Sequence, residues 1–168
     1  TKSIYEHKVA IRDYSVRDER GSVIAEATSS WLLVNLRTGR AEDPESAPFL
    51  PALYPEKNAI SENLELLLPR ENPRAVLSKR ACYSDLDMNR HVNNCRYADW
   101  VLDALFLDPA FRKMPIRSIQ MNYLSEVSAG EEISLLRFEN SNHHAYIFGV
   151  NAQDSSKVHF QARVGFSA

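Results

Sequence analysis

Cysteine is scarce in this chain of 168 residues, with Cys82 and Cys95 the only two. They cannot build a disulfide framework, and their spacing lacks the Cys-x-x-Cys pattern of zinc and redox sites, so a reducing cytoplasm is the expected setting. A run of about 20 apolar residues, the length a membrane span needs, is also missing. The opening Thr1-Lys2-Ser3-Ile4 has none of the features of a secretory signal. Nor is there a basic excess. Lys and Arg number 20 against 22 Asp and Glu, for a net charge of -2, which excludes a general nucleic-acid binder, because phosphate neutralisation requires a basic surplus or stripe. An anionic partner therefore has to be met by a local patch. The chain opens on Thr1 instead of methionine, as expected of a processed product or a fragment.

What is present suffices for a core: 44% of residues are hydrophobic and 25% charged, the balance of a soluble globular protein with one large or two small domains. Strand-like alternation runs from Ile4 to about Asp18 and from Val23 to Leu33, joined by Asp18-Glu19-Arg20-Gly21, which predicts a long antiparallel hairpin. Between Arg40 and Pro73 six prolines exclude central strands and long helices. That segment reads as a linker with a short helical turn near Ser61 to Leu67. A strand is expected over Ala75 to Tyr83 and a helix over Asn93 to Leu107, with Val92, Cys95, Ala98, Val101, Leu102 and Leu105 as its apolar stripe and Pro109 and Pro115 closing it. Four strands follow, Ile116 to Val127, Glu131 to Asn140, Ala145 to Gln153 and Val158 to Phe166. A strand, one long helix and four antiparallel strands make an α+β order in which the sheet wraps the helix. The last hairpin, Ala145 to Phe166, repeats the plan of the first, Ile4 to Leu36.

The polar residues concentrate in Tyr83-Ser84-Asp85-Leu86-Asp87-Met88-Asn89-Arg90-His91-Val92-Asn93-Asn94, between the strand and the helix. A helix start offers unpaired N–H groups and partial positive charge, which suits an oxygen that becomes negative. Asp87, Asn89 and Asn93 are equally the residue types that turn and cap a chain before a helix. Two carboxylates, three asparagines and a histidine within ten positions, from Asp85 to Asn94, nevertheless exceed what one cap uses.

This run, with Tyr97 and Trp100 after it, resembles the acyl-acyl-carrier-protein thioesterases of plants and bacteria. Two further stretches resemble the same family: Ala27-Thr28-Ser29-Ser30-Trp31-Leu32-Leu33 with Thr38-Gly39-Arg40, and Tyr123-Leu124-Ser125-Glu126. The resemblance implies a tandem double-hotdog, each repeat a long helix wrapped by an antiparallel sheet, with the first repeat truncated in this chain. Residues 1–40 are then the C-terminal hairpin of the first hotdog, 41–73 the proline-rich linker and 74–168 the complete second hotdog. It implies hydrolysis of fatty acyl-acyl-carrier-protein to free fatty acid and carrier protein, with no cofactor and no metal. The partner is acyl carrier protein bearing a phosphopantetheine-linked acyl chain, a homodimer being left open. The setting is the bacterial cytoplasm in the first place, or the plastid stroma in a plant.

Carried onto this chain, the family's catalytic residues fall on Asp87, Asn89, His91 and Glu126. Plant members often have a cysteine after the glutamate, where this chain has Val127, so no cysteine nucleophile stands there. Thioester hydrolysis needs an activated water and a group that steadies the oxyanion. Glu126 is the candidate base, and Asn89 with helix-start N–H groups the candidate oxyanion donor. His91 is left to position the water or protonate the leaving thiolate, and Asp87 to orient neighbouring donors. Cys82 and Cys95 are expected to pack. His143-His144 sits at a turn, and adjacent histidines on a strand would point to opposite faces, a poor ligand pair. Arg70, Arg74, Lys79, Arg80, Arg112, Lys113 and Arg117 are surface charges that would also suit docking of an acidic carrier protein. The rival readings are a single-hotdog acyl-CoA thioesterase and a non-catalytic acyl-thioester sensor.

Overall fold

The computed structural model describes all residues except 7, 47–51, 57, 61–65, 69, 142 and 168. The helical turn expected near Ser61 to Leu67 falls largely outside the described residues. The chain forms two compact units, Thr1–Glu65 and Leu66–Ala168. No helix among the described residues is long and apolar enough to cross a membrane.

The first unit is a four-stranded antiparallel sheet, β1 (Ser3–Tyr5), β2 (Val9–Arg17), β3 (Val23–Val34) and β4 (Ala41–Glu42), in that order. The single strand expected from Ile4 to Asp18 is broken in two, because Glu6 adopts a left-handed conformation (φ 48°) that turns β1 back onto β2. The β2–β3 hairpin forms as expected. Asp18 Oδ1 accepts the N–H groups of Arg20 and Ser22, and Gly21 supplies the positive φ of 83° that closes the turn. Among the described residues of this unit no α-helix occurs. Trp31, Leu32 and Ile24 are exposed, while Ala10 and Pro44 are buried.

The second unit contains β5 (Arg74–Arg80), α1 (Asn94–Phe106), β6 (Ile116–Tyr123), β7 (Glu132–Ser141), β8 (His144–Asn151) and β9 (Val158–Phe166), with sheet order β5-β7-β8-β9-β6 and every pairing antiparallel. Alternate residues Ile133 and Leu135 on β7, Ala145 and Ile147 on β8, and Phe160, Ala162 and Val164 on β9 form one face. Against it lies α1 with Tyr97, Trp100, Val101, Ala104 and Leu105. Full burial of each large side chain there stabilises by about 1.5–3 kcal/mol.

The stripe on α1 is therefore rotated from the expected one. Its spacing of i, i+3, i+4, i+7, i+8 starts at Tyr97, and the two aromatics, packed edge to face at 5.5 Å, set the buried arc. Cys95 and Leu102 fall outside that arc and are exposed. Cys82 is exposed as well, so neither cysteine has the packing role expected of it. The close approach of Phe160 to β8 requires Gly149, where a Cβ would lie 2.0 Å from the Phe160 ring. A second cluster, Phe138, Tyr146 and Phe148, occupies the other sheet face. Leu67 and the Arg70 guanidinium, 3.4 Å from the Tyr146 ring centre, bring the end of the proline-rich segment into this unit.

Candidate active site

Two chain segments leave regular structure at the same end of the second unit. The strand expected to reach Tyr83 stops at Arg80, and a 3-10 turn, Tyr83–Asp85, begins the polar run. The strand expected to reach Val127 stops at Tyr123, because the N–H groups of Leu124 and Ser125 both turn to the carbonyl of His159 (2.8 and 3.1 Å). Glu126 therefore stands on an irregular segment, and its side chain is not one of a strand's alternating pair.

The polar run folds into a tight loop closed by Asp87. Its N–H donates to the His91 carbonyl at 2.8 Å, and its Oδ1 accepts the N–H groups of Asn89 (2.8 Å) and His91 (3.4 Å). Arg90 takes the left-handed conformation (φ 65°) that reverses the chain there. Asn93 caps α1 through Oδ1, which accepts the Cys95 N–H at 2.9 Å, and its carbonyl accepts the Arg96 N–H. The turn-and-cap reading thus holds for Asp87 and Asn93. Asn89 and His91 are presented by the loop that Asp87 builds.

The loop is stitched to the Glu126 segment. Val92 N–H donates to the Val127 carbonyl at 3.0 Å, and His91 pairs with Ser128 in an isolated antiparallel bridge. This brings His91 Nε2 to 3.3 Å from Glu126 Oε2, although the two residues are far apart in sequence. Both side chains face solvent, Glu126 at 72% and His91 at 39% exposure. Asp87, Asn89, His91 and Glu126 all line one cavity of about 230 Å³, with Val92, Asn94, Tyr97, Tyr123, Leu124 and Ser125. The start of α1 is on its wall through Asn94.

Two tyrosines of the wall were not among the expected site residues. Tyr97 Oη accepts the Val127 N–H at 3.2 Å, and Tyr123 Oη donates to the Asn94 carbonyl at 3.3 Å. Burial pushes both phenols above their ordinary range, with the nearby charges of Glu126 and Glu131 adding to the effect at Tyr97. Both therefore stay neutral hydrogen-bonding groups at neutral pH. The sequence signal for them was their place in the matching runs. Beneath the Glu126 segment, buried His159 and partly buried Glu131 lie side by side, a pair that no pattern in the sequence distinguished. Among the described residues no group of three or more His, Cys, Asp or Glu is arranged to hold a metal ion.

Residues 72–167 match the family model described as acyl-ACP thioesterase C-terminal domain. An oleoyl-acyl carrier protein thioesterase of Coriandrum sativum is 28% identical over 175 residues, covering 89% of this chain and 47% of the relative. Oleoyl-acyl carrier protein thioesterase 2 of Arabidopsis thaliana is 34% identical over 107 residues, covering 56% of this chain and 29% of the relative. The chain thus spans about half the length of these curated relatives or less. Among solved structures, an acyl-ACP thioesterase from Bacteroides thetaiotaomicron superposes with a TM-score of 0.80 at 27% identity, over 99% of this chain and 65% of that one. A 12:0-ACP thioesterase from Umbellularia californica gives 0.76 at 23%, over 98% and 64%. The architecture is accordingly the double hotdog expected, with the α-helix-bearing repeat in the second unit and no α-helix among the described residues of the first.

Proposed function

Because the chain belongs to the acyl-ACP thioesterase family, through that family's C-terminal domain, we propose that it hydrolyses fatty acyl thioesters on acyl carrier protein, releasing free fatty acid in fatty acid biosynthesis. The observation that carries the reading is the Glu126 carboxylate 3.3 Å from His91 Nε2, on a cavity that Asn89 and the start of α1 also line. In this reading Glu126 takes a proton from water as the water oxygen bonds to the thioester carbon. The Asn89 amide and an N–H at the helix start donate to the oxygen that becomes negative. Collapse of the tetrahedral intermediate breaks the C–S bond, and the proton taken up by Glu126 passes through His91, 3.3 Å away, to the departing phosphopantetheine thiolate, which restores the Glu126 carboxylate. Asp87 acts indirectly, holding the loop that presents Asn89 and His91.

The same reading assigns 1–40 to the end of a first hotdog, 41–73 to the connector and 74–168 to the second hotdog. The exposed Trp31, Leu32 and Ile24, in a unit without an α-helix among its described residues, support this division. The reaction is assigned to a reducing compartment, bacterial cytoplasm or plastid stroma, where the two exposed cysteines stay thiols. The acidic carrier protein is met by basic residues that include Arg112 and Lys113. Arg112 also ties the end of α1, donating from Nε to the Phe106 carbonyl at 2.9 Å. Lys113→Glu is therefore the cleaner charge reversal. It should raise KM for carrier-protein substrates and leave a small neutral thioester unaffected, with added salt acting in the same direction.

The deciding experiment measures fatty acid release from a panel of acyl-carrier-protein and acyl-CoA substrates. Faster release from the carrier-protein series supports the proposal. Preference for acyl-CoA would point to the single-hotdog type of substrate, and binding without release to a sensor.

A further inference from the structure

The Glu126 carboxylate is exposed, and its backbone lies outside any strand, so its position depends on what holds the backbone from beneath. That support is His159, the second residue of β9, which is completely buried. Its Nδ1 lies 3.0 Å from the Glu126 carbonyl and 3.0 Å from Ser125 Oγ. The carbonyl only accepts, and Ser125 Oγ–H donates to the Val158 carbonyl at 3.3 Å. Both oxygens therefore face Nδ1 as acceptors, which places a hydrogen on that nitrogen. On the far side of the ring, buried Nε2 lies 3.1 Å from Glu131 Oε1, off the axis of a hydrogen bond.

Glu131 is itself fully engaged. Oε1 accepts from Asn151 Nδ2 (2.8 Å) and Lys157 Nζ (2.9 Å), and Oε2 accepts the Ser128 N–H (3.1 Å). Burial works against its ionised form but is outweighed by Lys157, the Ser128 N–H, Asn151 and the His159 ring, which hold the carboxyl at about 2. Ser128 is the residue bridged to His91. One buried imidazole and one carboxylate thus reach both members of the His91–Glu126 pair, the first through the Glu126 carbonyl and the second through the Ser128 amide.

We infer that His159 is a positioning residue for the Glu126 carboxylate, with Glu131, on the far side of the ring, as the tether on the His91 side. The inference rests on the thioesterase reading with Glu126 as base. A misplacement of about 1 Å at a reacting group can cost about a hundredfold in rate, and the 3.3 Å separation from His91 leaves little room for drift.

The test is a mutant cycle in the full chain. His159→Leu fills the volume and removes the donor, while His159→Asn keeps an N–H near the place of Nδ1. His159→Leu should lower kcat by about a hundredfold with KM little changed, and His159→Asn should restore most of the loss. In a Glu126→Gln background His159→Leu should have no further effect on kcat, since a residue acting through Glu126 has nothing left to position. An equal loss with and without Glu126, or no rescue by asparagine, overturns the inference. Should His159→Leu fail to fold, Ser125→Ala, which removes one acceptor of the same Nδ1 hydrogen, should show a smaller loss with the same dependence on Glu126. Independently of turnover, ¹⁵N-histidine NMR should show an exchange-protected proton on His159 Nδ1. Its absence in an active enzyme sinks the inference alone. A wild-type protein that turns over no acyl thioester sinks the functional reading and the inference with it.

Discussion

Glu126→Gln removes the base while keeping the shape of the side chain, and the structure separates its effect on rate from its effect on stability. Loss of a general base costs about a hundred- to ten-thousandfold in turnover, or about 2.7–5.5 kcal/mol of transition-state stabilisation at about 1.36 kcal/mol per decade. The contact with His91 that the substitution alters in the folded state is far weaker. Glu126 is 72% and His91 39% exposed, and an ion pair between groups exposed to water contributes about 0–1 kcal/mol, a shift of no more than about 4 °C in Tm for a chain of this size. The glutamine amide can still donate or accept at the same place, so acyl binding should be little changed and the loss should fall on kcat. Steady-state kinetics on an acyl-carrier-protein substrate, with a thermal melt of the same preparation, measures both quantities. Turnover within about tenfold of wild type in a folded Glu126→Gln protein is below what a general base contributes and would refute the assignment. A large fall in Tm accompanying the loss of rate would instead mean that the carboxylate supports the fold.

Asn89→Ala should lower kcat by about a hundred- to a thousandfold, the usual cost of one oxyanion donor, without altering the loop, because Asp87 closes that loop through the residue 89 backbone N–H; the measurement is kcat with the circular dichroism spectrum unchanged. Glu131 predicts a pH dependence of stability: its carboxyl is held at about 2 in the folded chain against an ordinary value of 4.5, so its contribution is complete above 4.5 and is lost as pH falls from there toward about 2. The urea midpoint of Glu131→Gln should be lower than wild type at neutral pH and should fall less steeply on acidification; parallel curves would count against the reading. Gly149→Ala places a methyl 2.0 Å from the fully buried Phe160 ring, which packs on Tyr97 at 4.9 Å. Overpacking of this kind costs about 1–3 kcal/mol, visible as a lowered Tm, and an unchanged melt would show that the ring has room to move.

The elements were legible in the sequence to the extent that each is a local matter. Period-two alternation placed β7, β8 and β9, and a turn residue such as Gly21 marked its hairpin, because both depend on neighbours a few positions apart. The polar run that holds Asp87, Asn89 and His91 was legible as a turn for the same reason, being one loop that a single aspartate closes, while the roles given to those residues came from the resemblance. The face of α1 was not, since two overlapping stripes share Val101 and Leu105, and only packing against Phe160 and its neighbours selects the one led by Tyr97 and Trp100. Glu126 came from resemblance alone, as a glutamate after a strand is otherwise an ordinary surface residue. The tertiary fold decided the rest. His159 sits on the strand face opposite Phe160 and Ala162, in a row with Gln161 and Arg163 that reads as solvent-facing. It is buried because the segment after β6 turns across it and gives up its own N–H groups to the His159 carbonyl. Its partners Glu126 and Glu131 are set beside it by β6 pairing with β9 and by the Ser128 hydrogen bond. A pattern of neighbours carries no record of such pairings, because they cost loop-closure entropy and are repaid only when the whole sheet forms.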